Sequence, residues 1–119
     1  MAAFAHILIA VIALLHVYFV LLETILFKTR GRRVFGISAE KAEIMAPAMS
    51  NQGCYNGFLV AALVLGLVHP DPAVARAFAV FGLCCVAVAG LWGAATVKKS
   101  ILLFQTVPAA IALAALLLG

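Results

Sequence analysis

Four long runs that are almost free of charge constrain this chain more than any other feature. They lie at about 3–27, 45–68, 73–97 and 100–118, the second inside a helix that begins near Ser38. Each is close to the roughly 20 residues that carry a helix across hydrocarbon. In lipid every backbone N–H and C=O must be satisfied within the protein. The expected fold is therefore all-α, a transmembrane four-helix bundle forming one four-span domain over residues 1–119. Composition agrees: 67% of the residues are hydrophobic and 10% charged, against roughly 45–50% and about 25% in soluble domains.

The first run does not read as a signal peptide. It has no basic leader, its apolar stretch is too long, and Glu23 stands where cleavage would be sought. The net charge of +4 is unevenly placed. Lys28, Arg30, Arg32, Arg33 and Lys41 fall in the connection 28–41, and Lys98 and Lys99 between the last two runs; only Arg76 lies towards the other side. Such a bias puts the basic connections in the cytoplasm and both termini outside. It argues against dual topology and against nucleic acid, and points the basic loop at anionic lipid headgroups.

Ser38 reads as an N-cap with Glu40 and Glu43 near the positive end of the following helix. Pro47 should kink that helix, and Pro108 should loosen the last one. "HPDP" at 69–72 reads as a tight external turn. Val34, Phe35 and Ile37, set among basic residues, suit a segment lying on the membrane surface. Gly53, Gly57 and Ala61 form a small-residue stripe expected to admit a neighbouring helix. The third run, rich in Gly and Ala, reads as a closely packed helix. Cys54, Cys84 and Cys85 have no ligand-like partners, so no metal is expected; they read as small buried hydrophobes.

The polar residues inside the runs carry the functional signal. Asn51, Gln52, Tyr55 and Asn56 cover an arc of about 140° on one helix. Glu23 and Gln105 lie at a similar depth, close to the basic ends of their runs. His16 precedes Glu23 by about 10 Å of helical rise on nearly the same face. An acid inside a membrane costs several kcal/mol unless it meets a partner or a wet cavity. Glu23 and His16 are the candidates for acid–base work. Asn51, Gln52, Tyr55, Asn56, Gln105 and Trp92, the last as a pocket wall or an interfacial anchor, are the candidates for ligand binding.

The stretches "HVYFVLLE", "VFGIS", "NQGCYNGFL" and "GLWGAATVKKSILLFQTVPAAIAL" resemble the bacterial integral membrane proteins grouped as domain of unknown function 1304. The resemblance runs over essentially the whole chain. It implies a four-span protein of the bacterial inner membrane and no particular activity. A looser, architectural likeness is to the membrane-associated glutathione and eicosanoid enzymes. The arginine, asparagine and glutamate string those enzymes carry on the second helix is missing here, so glutathione is not implied.

Three functions are compatible with these residues. The first is binding, and transformation by proton transfer or conjugation, of a small amphipathic molecule in a polar pocket near the cytoplasmic leaflet. The second is a proton-coupled carrier or channel, which a chain this short could enclose only as a homo-oligomer. The third is a structural subunit whose amides fasten helices together. No nucleophile motif or phosphate loop stands out, and no cofactor is indicated.

Overall fold

The computed structural model describes residues 2–119. Its elements are α1 (Ala2–Glu23), a π-helical segment (Phe27–Gly31), α2 (Arg32–Phe35), α3 (Ala39–Val68), α4 (Pro72–Thr96), a second π-helical segment (Leu102–Thr106) and α5 (Val107–Leu118). The described residues contain no strand. Helices α1, α3 and α4 are each long and apolar enough to cross a membrane, and the stretch Leu102–Leu118 is a shorter apolar helix. This is an all-helical membrane protein. At about 1.5 Å per residue, α3 is about 45 Å long, well beyond a hydrocarbon core of about 30 Å.

The ends of the elements follow from local chemistry. Ser38 caps α3 as expected: its Oγ accepts from the Lys41 N–H at 3.1 Å. Asp71 caps α4 through Oδ1 on the Ala73 N–H at 2.9 Å, with Pro72 in the first turn, where a missing N–H costs nothing. Helix α2 ends in a Schellman motif. Gly36 takes a left-handed φ of 71°, and the Ile37 and Gly36 N–H groups donate to the carbonyls of Arg32 and Arg33. Pro47 lies within a continuous α3.

The chain divides into two compact units. One comprises residues 1–13 and 59–119. Its core is Ile9, Ile12, Ala13, Leu63, Ala79, Leu83, Val86, Ala109 and Ala112. Small residues bring its helices close. A Cβ on Gly66 would stand 2.9 Å from the Ala79 backbone, and one on Gly90 would stand 2.7 Å from the Thr106 nitrogen. The second π segment opens the helical ladder just before Pro108, which starts α5. The loosening expected at this proline is thus a widened turn rather than a break.

The other unit comprises residues 14–58. Its buried apolar side chains are Leu22, Phe27 and Ala42. The chain leaves α1 through two bonds spanning five residues, Leu26 N–H to Leu21 O at 2.9 Å and Gly31 N–H to Leu26 O at 2.8 Å. Gly31 sits against the Leu22 carbonyl, where no side chain fits.

Two packing expectations are corrected. Gly53 is buried against α1, but Gly57 has nothing within 4 Å of where its Cβ would be, and Ala61 is exposed. The close approach is a single point, because the stripe drifts away around the helix. The cysteines are not buried in the chain: Cys54 and Cys84 are exposed and Cys85 half-buried. They lie on outward faces, where the apolar medium around a membrane helix suits a thiol as well as a protein core does.

Candidate functional site

The 14–58 unit is built around one carboxylate. Glu23 is the last residue of α1 and is 5% exposed. Gln52 Nε2 donates to its Oε2 at 2.7 Å, and Asn56 Nδ2 donates to its Oε1 at 2.5 Å. Gln52 and Asn56 are four residues apart, one turn of α3, so both amides reach the same partner. The helices can come this close because Gly53 lies between the two amide positions. A Cβ there would meet the Thr24 Cγ2 at 2.5 Å and the Glu23 Cβ at 3.3 Å. Thr24 turns its hydroxyl back onto the Val20 carbonyl at 2.6 Å and offers α3 its methyl group.

No basic side chain among the described residues bonds Glu23. Lys28 pairs with Glu43 at 3.1 Å. Arg30 Nε donates to the Tyr18 hydroxyl at 2.6 Å, with its guanidinium 5.7 Å from that ring's centre. The hydrogen bonds to the Glu23 carboxyl group therefore come from neutral amides.

The other expected residues fall into three groups. Asn51 and Tyr55 occupy the neighbouring ridge of α3; Asn51 is exposed and Tyr55 61% exposed. Tyr55 stacks edge-on with Phe58 at 5.7 Å, an aromatic pair that sequence reasoning did not single out. Its signal was the spacing of three residues on the polar helix. His16 is fully buried and meets Phe19 edge-on at 5.2 Å, two turns before Glu23. Trp92 and Gln105 belong to the other unit. Trp92 is 73% exposed, as suits an interfacial anchor. Gln105 is half-buried and lies with Thr106 against Gly90. No group of three potential metal ligands occurs among the described residues.

An all-helical membrane chain with a buried carboxylate held between two amides defines a class of protein rather than an activity. The chain belongs to the DUF1304 family of proteins of unknown function, which matches residues 10–117. No curated protein and no solved structure matches it.

Proposed function

We propose that this is a four-span protein of the bacterial inner membrane that binds the polar head of a small amphipathic molecule at Glu23, Gln52 and Asn56. Asn51 and Tyr55 form the rim. The connection 28–41 and the Lys98–Lys99 turn face the cytoplasm, both termini face outside, and Leu102–Leu118 is the fourth span. At 17 residues it is at the short end of what crosses hydrocarbon. The protein works as a homo-oligomer, surrounded by membrane lipids.

The observation that carries this reading is that the side chain buried between the two amides is an acid, Glu23. A glutamine in its place would fasten α1 to α3 through the same kind of contact without the cost of a carboxylate in an apolar setting. An interhelical amide bond in a membrane is worth about 1 kcal/mol. Two amides directed at one acid that has no basic partner suit a group that must be held ready for something else. Glu23 is then the acid–base candidate, and buried His16 two turns away a proton reservoir.

A structural reading draws on one observation: both Glu23 oxygens already have a partner. Native mass spectrometry from lipid nanodiscs separates the two. A discrete small molecule retained by wild type and lost from Glu23→Gln/Asn51→Leu supports the binding site and weighs its ligand. No retained molecule, with an oligomer that falls apart in the variant, supports fastening alone. The same spectrum counts the chains.

A further inference from the structure

We infer that Arg32 and Arg33 form a binding site for the phosphate of an anionic lipid headgroup, a role independent of the one proposed for Glu23. Helix α1 is long enough to cross hydrocarbon and ends at Glu23, and α3 exceeds a hydrocarbon core of about 30 Å. The segment joining them therefore lies at the membrane surface. Over 28–43 the chain carries Lys28, Arg30, Arg32, Arg33 and Lys41 against Glu40 and Glu43, so this surface is positive.

The structure sorts these cations. Lys28 is paired with Glu43 of α3, and Arg30 is held on the Tyr18 hydroxyl of α1. Both fasten the connection to its helices. Among the described residues no acid pairs with Arg32 or Arg33. Arg33 is exposed and spends one donor, Nε, on the Thr29 carbonyl at 3.4 Å. A guanidinium carries five donors, so most of its fork is left for a partner from outside.

Both arginines belong to α2, a single turn. At about 100° per residue, Arg32 and Arg33 share one side of it and Val34 and Phe35 the opposite side. Val34 is 52% and Phe35 42% exposed, and the Phe35 ring also rests on buried Phe27, 6.2 Å between centroids. Gly36, at its left-handed φ, stops the helix there. A turn with one apolar and one cationic side fits the level at which acyl chains meet phosphates. Arginine suits that level: its planar fork takes two phosphate oxygens at once, and its stem runs along apolar surface while its head stays among the headgroups.

The test places the full chain in nanodiscs of phosphatidylcholine with a minor share of phosphatidylglycerol, and native mass spectrometry counts the lipids it keeps on release. Both faces of a nanodisc carry the same lipids, so the result does not depend on which face the connection occupies. Wild type is expected to enrich phosphatidylglycerol about tenfold or more over its share, the factor two basic residues near an anionic surface supply. Arg32→Gln/Arg33→Gln should lose that enrichment. Arg32→Lys/Arg33→Lys, which keeps the charge without the fork, should lose most of it. Lys28→Ala/Glu43→Ala removes the internal ion pair at no change in net charge and should stay within about twofold of wild type. Phosphatidylglycerol kept only in proportion to its share overturns the site. So does enrichment that survives in the glutamine variant, or that inorganic phosphate abolishes. Full enrichment in the lysine variant overturns recognition by the arginine fork.

Discussion

The two units each contain a helix contact of the same design, and they differ in one chemical group. In the 14–58 unit, Gly53 of α3 receives Glu23 and Thr24 just before a π-helical segment. In the other unit, Gly90 of α4 receives Gln105 and Thr106 at the end of a π-helical segment. Both pair a glycine with a glutamyl-type side chain followed by threonine. Where the side chain is the amide, the threonine hydroxyl bonds across to the Ala87 carbonyl at 2.9 Å. Where it is the acid, the threonine bonds back into its own helix, and the cross-contact is made by two amides reaching for the carboxylate. The Gly90 contact shows that close packing of this kind is achieved with a neutral side chain. On the binding role proposed above, the acid at Glu23 serves a ligand rather than packing.

Substitutions can break this comparison, beginning with Glu23→Leu. It strands two amide donors and removes the bond between α1 and α3. A loss of about 2–3 kcal/mol is expected in thermal unfolding followed by circular dichroism in micelles. Stability equal to wild type would mean that the two amides contribute nothing.

The glycines come next. Gly90→Ala drives a methyl group into the Thr106 backbone nitrogen, which cannot step aside, and should cost about 1–3 kcal/mol. Gly53→Ala meets a threonine methyl group instead and should cost less, about 1 kcal/mol. The reverse order would show that the acid contact is the tighter of the two.

Smaller effects sharpen the contrast. Thr106→Val deletes a hydrogen bond between elements and should cost about 1 kcal/mol. Thr24→Val keeps the methyl group facing Gly53 and loses only a bond within α1, so about 0.5 kcal/mol or less is expected. Smallest of all is Lys28→Ala. Its partner Glu43 is well exposed, so the change should fall below about 0.5 kcal/mol and vanish in high salt.

Much of the architecture was legible because its causes are local. The Ser38 cap, the Asp71–Pro72 start of α4 and the long apolar runs each follow from residue type and spacing. The two π-helical segments were not legible. Each widens the turn by one residue, and residue type and spacing read the same whether the bonds span four residues or five. The first of them explains why α1 ends at Glu23 rather than near 27. At the site, the polar arc on α3 was visible as a whole. Its division into Gln52 and Asn56 inward, Asn51 and Tyr55 outward, depends on which side Gly53 admits a neighbour, and periodicity alone does not choose that side. The small-residue stripe pointed to two glycines, and only one makes a contact.

The decisive measurement is Glu23→Gln alone beside wild type in the same nanodiscs, scored for unfolding midpoint and for retained small-molecule mass. If packing needs only an amide and the charge serves a ligand, stability stays within about 1 kcal/mol of wild type while the retained molecule disappears. A variant that loses as much stability as Glu23→Leu, or that keeps the molecule unchanged, would contradict this.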